Sequence, residues 1–168
     1  MQLKTPKGAA IADVFSFLSG LYFRGKVAYA RAFAREAFVI TPDRGLLHID
    51  THVNLEDLRA MAQVPIDLEE PRYIEPMRRD VESLSGRGKR DVVLLGSIAT
   101  GKYVDLLLPW LGERLKSPSE FVGRGDMSRG GLMLRCVDEQ RELAYVPLHN
   151  AVRKGTRPPK LAKRQWPV

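Results

Sequence analysis

A stretch between an apolar run and a helical run has the spacing of a phosphate-binding loop. Residues 96–103 read Gly-Ser-Ile-Ala-Thr-Gly-Lys-Tyr and satisfy the pattern G-x-x-x-x-G-K. Glycines let backbone N–H groups turn toward an anion, the following helix adds its positive dipole end, and the lysine reaches the outer phosphates. The predicted ligand-binding residues here are Gly96, Ser97, Thr100, Gly101 and Lys102.

This loop differs from that of a P-loop ATPase. Tyr103 stands where the Ser or Thr that binds Mg²⁺ would stand, and the rest of the chain is short for a nucleotide-hydrolase sheet. An anion or substrate loop at a strand end is therefore favoured, since open α/β sheets bind ligands at such junctions. The alternative is a tight turn and helix cap with no ligand.

A second glycine-rich segment, residues 123–131, carries charges that folding does not require. An arginine offers a bidentate fork to phosphate or carboxylate, and serine and backbone N–H groups add donors. The predicted ligand-binding residues are Arg124, Ser128 and Arg129, with Asp126 as a candidate catalytic base. The alternative is a mobile hairpin loop in which Asp126 pairs with an arginine.

A third group follows a short apolar strand. Asp43 is a second catalytic candidate and Arg44 a further ligand-binding candidate, because a parallel arrangement would bring residues 41–45 to the sheet edge that holds Gly96. Beyond them, His48, Asp50 and His52 would share one face of an extended segment and could hold a metal. A solvated polar face is the favoured interpretation there, so no metal is predicted, and the sequence names no cofactor.

Apolar periodicity supplies the elements that would position these residues. Helices are predicted at 9–18, 26–37, 55–62, 77–85 and 102–115, the third capped by Asn54 with Asp57 three residues on. Strands are predicted at 38–40, 91–95, 132–137 and 143–146, the last two as a C-terminal hairpin, with residues 65–76 and 117–120 as connections. The predicted fold is α/β, a single-domain, layered, Rossmann-like sheet with flanking helices.

Charge divides the chain of 168 residues into two parts. Six of the 27 Lys and Arg residues, and none of the 20 Asp and Glu residues, lie in 153–168, which also contains three prolines. We therefore assign an α/β domain to 1–152 and a basic tail to 153–168, which would meet phosphate backbones or serve only for solubility. The lone cysteine, Cys136, excludes an internal disulfide and fits a buried apolar position.

No secretory signal and no membrane-spanning apolar run is evident, so a bacterial cytoplasmic protein without a membrane partner is expected. Three stretches resemble the YaaA family of bacterial stress-response proteins: residues 21–30, residues 38–47 and the strand at 91–95 with its glycine turn. The resemblance covers roughly residues 20–115. It implies an α/β fold and a nucleotide or nucleic-acid setting, because some relatives resemble nucleobase glycosylases in fold and touch DNA.

Three functions follow from these patterns. The first is binding, with possible hydrolysis or transfer by Asp126 or Asp43, of a phosphorylated ligand at loops 96–102 and 123–131. The second is a non-enzymatic nucleic-acid-binding module that depends on the basic tail. The third is a protein-interaction domain, for which the sequence offers no positive feature.

Overall fold

The computed structural model describes residues 2–162, so Met1 and the end of the basic tail, with Lys163 and Arg164, lie outside the described residues. Six α-helices combine with four short 3-10 helices and seven short strands in this range. The α-helices are α1 (Ile11–Leu18), α2 (Gly20–Phe33), α3 (Leu55–Met61), α4 (Pro71–Gly86), α5 (Gly101–Leu111) and α6 (Asp126–Asp138). The strands are β1 (Ala9–Ala10), β2 (Phe38–Thr41), β3 (Gly45–His48), β4 (His52–Val53), β5 (Val92–Val93), β6 (Leu115–Pro118) and β7 (Tyr145–Pro147).

The strands form three small sheets within residues 2–162. β1 pairs with β4, and β2 forms an antiparallel hairpin with β3. The third sheet has the order β5-β6-β7, with β5 and β6 parallel and β7 antiparallel to β6. The fold is thus a mixture of helices and small sheets. The parallel β5–β6 pair joined through α5 is the part consistent with the predicted α/β layering.

The predicted C-terminal hairpin is wrong. Residues 132–137 lie in α6, and β7 pairs with β6 instead. Arg129, Leu132, Met133 and Cys136 are all buried and follow one another at helical spacing. The predicted loop at 123–131 is wrong from Asp126 onward for the same reason, because α6 begins there.

Three further element predictions need correction. The second helix begins at Gly20 rather than residue 26 and ends at Phe33. The predicted connection at 65–76 contains the start of α4, where Pro71 opens the helix and the Glu70 side chain accepts from the Arg72 N–H. The predicted connection at 117–120 begins inside β6, because α5 already ends before Gly112.

The buried side chains form three clusters, each between different elements. One lies among α4, α5, β5 and β6, and a second lies among α1, α2, α3 and the strands β2 to β4. The third lies between α2 and α6 and includes Tyr29, Phe121, Leu132 and Met133. Helix α2 therefore contributes to two clusters and links the elements of residues 9–61 to α6. No helix within residues 2–162 is long and apolar enough to cross a membrane.

Candidate functional site

Helices α2 and α6 cross where each has a glycine. A Cβ added at Gly25 would lie 2.7 Å from the Gly130 carbonyl oxygen, and one added at Gly130 would lie 2.8 Å from the Leu21 carbonyl oxygen. Such distances leave no room for a side chain, so both glycines are needed for the backbones to approach this closely. The crossing brings side chains on the first half of α2 beside the beginning of α6.

A lysine interrupts the aromatic stripe of α2 at this crossing. Tyr22, Lys26, Tyr29 and Phe33 follow one another at helical spacing, and the three aromatic residues belong to the cluster shared with α6. The Lys26 ammonium lies 3.9 Å from the centroid of the Tyr22 ring and 5.7 Å from that of Phe23. It is thus held against ring faces, which attract a cation electrostatically.

The Lys26 ammonium has no ion pair and no hydrogen bond among the atoms of residues 2–162. Burial lowers the pKa of Lys26 from its ordinary value of 10.5 to about 8, with Asp126 acting against that shift and Arg129 adding to it. A cation without an ion pair or a hydrogen bond in a partly dehydrated position is costly. An anion at this position would remove that cost.

Arg129 supplies a second cation from α6, and its side chain is only 9% exposed. Its Nε donates to the Phe121 carbonyl at 3.3 Å, and its nearest carboxylate is Asp126, 3.7 Å away and itself largely exposed. Burial raises the pKa of the Tyr22 hydroxyl, whereas hydrogen bonding with the Arg129 guanidinium opposes that rise. Both cations therefore interact with Tyr22, Lys26 with its ring and Arg129 with its hydroxyl.

The beginning of α6 adds further donors. Its N-cap, Gly125, has no side chain to accept from the first-turn N–H groups, and the helix shows no side-chain cap. Arg124 lies just before it, with Nε on the Glu120 carbonyl at 2.9 Å and Nη1 on the Ser128 hydroxyl at 3.2 Å. We call this group, comprising Lys26, Arg124, Asp126, Ser128, Arg129 and the first-turn N–H groups of α6, the α2–α6 site.

The end of the β5 segment adjoins the α2–α6 site. The Tyr22 hydroxyl donates to the Leu95 carbonyl at 2.9 Å, which places the chain immediately before Gly96 at the hydroxyl of the ring that holds Lys26. Tyr103 packs near Gly96 and also influences the pKa of Tyr22. The first predicted loop and the beginning of α6 therefore meet at Tyr22.

The remainder of that loop has a different geometry. None of residues 96–102, all of which are described, has a positive φ, so the alternating backbone conformations of an N–H nest are missing from this loop. The Asp105 carboxylate lies where a side chain of Gly101 would be, which places a negative charge in the first turn of α5. Thr100 forms no side-chain cap, and Lys102 is exposed. This end of the loop is a less favourable place for a phosphate than the α2–α6 site.

Asp43 and Arg44 contact other elements. Arg44 Nη1 lies 2.8 Å from an Asp57 carboxylate oxygen of α3, and its Nε lies 3.4 Å from Asp43. Asp43 borders an open groove of about 680 Å³ between α3 and α4, and one of its oxygens is buried without a hydrogen-bond partner. These ion pairs join the β2–β3 turn to α3, and β2 and β5 lie in different sheets, so the α2–α6 site is built without Asp43 and Arg44.

The polar residues after β3 do not form the extended face that a metal site would require. The chain turns between β3 and β4, the Asp50 N–H donates to His48 Nδ1 at 3.3 Å, and the Asp50 carboxylate lies 3.6 Å from Arg31. His52 Nδ1 instead contacts the Lys7 carbonyl at 3.1 Å. Within residues 2–162, no group of three His, Cys, Asp or Glu side chains is placed to hold a metal ion.

Lys26 is the member of the site that the sequence patterns missed. The periodicity of Tyr22, Tyr29 and Phe33 could have revealed it, because a lysine within a buried aromatic stripe is unusual. Gly25 next to it could have indicated a close helix crossing. No protein-family model, curated protein or solved structure matches this chain, so the resemblance to the YaaA family stays a prediction.

Proposed function

We propose that the protein binds a phosphorylated ligand at the α2–α6 site, with Lys26 and Arg129 as its two principal cations. The observation that carries this proposal is the Lys26 ammonium, which is partly buried and has no ion pair among the described residues. A protein gains stability when a ligand supplies the missing negative charge at such a position.

The number and type of donors favour phosphate over a single carboxylate. A guanidinium, an ammonium and the first-turn N–H groups of a helix are the donors that multi-oxygen anions prefer. Arg124 and the Ser128 hydroxyl extend the donor set along the same turn of α6. Three cations against one carboxylate, Asp126, leave the site positive.

The proposal includes hydrolysis or transfer, with Asp126 as the general base. Its side chain is largely exposed in the first turn of α6 and lies 3.7 Å from an Arg129 nitrogen, so it borders the place where the ligand would lie. Asp126→Asn is expected to abolish turnover and to preserve or tighten binding, since the substitution removes a negative charge beside the anion. Unchanged turnover in Asp126→Asn would remove this residue from the reaction.

Binding is tested by thermal unfolding with nucleotides, sugar phosphates and inorganic phosphate. A ligand at 100 times its dissociation constant adds about 2.7 kcal/mol to the free energy of unfolding. For a chain of this size, that increment raises the unfolding midpoint by roughly 5–10 °C. Lys26→Met is expected to remove the shift.

Arg24→Met is the matched control, because Arg24 is an exposed cation of the same helix. The substitution removes the same charge, two residues away, and is expected to leave the thermal shift intact. Equal thermal shifts in wild type and Lys26→Met would contradict the proposed site. No shift with any phosphorylated compound would contradict the proposed function.

A further inference from the structure

The described part of the basic tail lies along α6 rather than away from it. Gly123, at φ +73°, contacts the Thr156 carbonyl so closely that any side chain there would clash with it. Farther along, Leu161 packs on the cluster shared by α2 and α6, and an Arg135 nitrogen donates to the Ala162 carbonyl. The tail segment is therefore anchored at both ends on the surface next to the α2–α6 site.

The cations of this anchored segment remain without partners. Lys154, Arg157 and Lys160 are exposed, and none of them forms an ion pair with another residue in 2–162. No acidic residue occurs between 153 and 168. Exposed, unpaired cations held on a fixed surface attract a polyanion at close range, and the attraction depends strongly on salt.

The spacing of these three cations suits an extended, repeating anion. They recur every third residue around Pro158-Pro159, which favours an extended backbone. In the polyproline II conformation every third residue falls on the same side, with a separation of about 9 Å. Single charges at regular intervals match a phosphodiester backbone, whereas they add nothing for a mononucleotide that fills the α2–α6 site alone.

Direct contacts also join the tail segment to the α2–α6 site. Thr156 touches Gly123, the neighbour of Arg124, and Arg124 bonds to Ser128 in the first turn of α6. We propose that Lys154, Arg157 and Lys160 extend the α2–α6 site into a track for the backbone of single-stranded nucleic acid. This inference rests on the proposed function and specifies its ligand as a polynucleotide.

The test measures binding of a fluorescent oligothymidylate of about twelve nucleotides, within the range that single-strand-binding sites cover. The full chain is compared with the triple variant Lys154→Gln, Arg157→Gln, Lys160→Gln by anisotropy over a series of salt concentrations. Three phosphate contacts contribute about 2 to the slope of log K against log salt for a single strand. The triple variant is expected to lose that part of the slope and to bind roughly 100-fold more weakly at 0.1 M salt, if the two proteins bind alike at 1 M.

The matched control removes three exposed cations from the turn after α4, as Arg87→Gln, Lys89→Gln and Arg90→Gln. These residues precede β5, whereas the α2–α6 site adjoins the other end of that strand. The control is expected to bind like wild type. The track would be overturned if both triple variants lost oligothymidylate affinity equally, or if the tail variant kept the wild-type slope of log K against log salt. Binding of polyglutamate as tight as that of oligothymidylate would also overturn it.

The nucleotide thermal shift separates this inference from the proposed function. Loss of oligothymidylate binding in the tail variant, together with an unchanged nucleotide shift, supports both proposals. A nucleotide shift in wild type without any oligothymidylate binding overturns only the track. Oligothymidylate binding that the tail variant loses and Lys26→Met retains would contradict the α2–α6 site and, with it, the track as an extension of that site.

Discussion

Replacing Lys26 by methionine should stabilise the ligand-free protein. Burial lowers the pKa of this ammonium from 10.5 to about 8, a difference of about 2.5 pH units. At about 1.36 kcal/mol for each unit, keeping the group charged in the folded state costs up to about 3 kcal/mol at pH 7. Methionine has a similar length and no charge, but it loses the contact between the ammonium and the Tyr22 ring. Lys26→Met is therefore expected to raise the free energy of unfolding by about 1–2 kcal/mol.

The stability gain of Lys26→Met over wild type should decrease as the pH rises. Between pH 8 and 10.5 the unfolded chain holds a proton on Lys26 that the folded protein has released. Wild-type stability therefore rises with pH across that interval, because the unfolded state binds more protons. The variant lacks this contribution, and the difference between the two proteins should shrink from pH 7 toward pH 10.

Urea denaturation at pH 7 and near pH 10 measures both effects, and all other titrating groups cancel in the comparison. Arg24→Met is again the control, with no stability gain expected from removing an exposed cation. A variant that is less stable than wild type at pH 7, or a difference that does not change with pH, would show that Lys26 is not a partly buried charge lacking an ion pair.

Three other predictions follow from packing. Gly25→Ala forces a Cβ to within 2.7 Å of the Gly130 carbonyl oxygen and should lower the free energy of unfolding by about 1–3 kcal/mol, as measured by thermal unfolding. Gly86→Ala, which has open space around it in α4, should instead raise that free energy by about 0.5–1 kcal/mol. A Gly25→Ala protein as stable as wild type would contradict the close crossing. Asn54→Ala removes the acceptor of two first-turn N–H groups of α3 and should cost about 1 kcal/mol in urea, and no loss would contradict the cap. Cys136, which is fully buried with a raised pKa, should react with a thiol reagent only at the rate of unfolding, and rapid labelling in native buffer would contradict its burial.

Local signals in the sequence were sufficient for several elements. The strand at 38–40 and the break after it are confirmed by β2 and the turn to β3. The Asn54 cap is confirmed with both of its reciprocal hydrogen bonds, to and from Asp57. These features depend on residues within a few positions of one another, so the pattern itself contains the determining interactions.

Helix α6 was missed because its determining contact is distant in sequence. Gly130-Gly131 and the residues before them read as a loop, and the short apolar run after them reads equally as a strand. In the folded protein Gly130 is required by the backbone of α2, more than a hundred residues earlier. A glycine that costs helix propensity is retained where the close approach of another helix compensates for it.

The start of α4 is predicted wrongly for a different reason, which is its prolines. Pro71 stands at the first helical turn, where its missing N–H costs nothing, but prolines at 65, 71 and 76 together resemble a connection. Pro76 then lies inside the helix, where Met77 and Tyr73 are both fully buried. Tertiary packing of α4 thus overrides a local signal that normally ends a helix.

The geometry of the α2–α6 site and its chemistry have the same origin. The two glycines bring the helix backbones into contact, and this contact places Lys26 on the side of α2 where Arg129 and the uncapped beginning of α6 lie. A wider crossing would let water reach the ammonium and would separate the two cations. The close crossing therefore produces both the energetic cost of Lys26 in the free protein and the concentration of donors that an anionic ligand would meet. Lys26→Met should gain stability and lose binding for this single reason, whereas a purely structural lysine would show neither change.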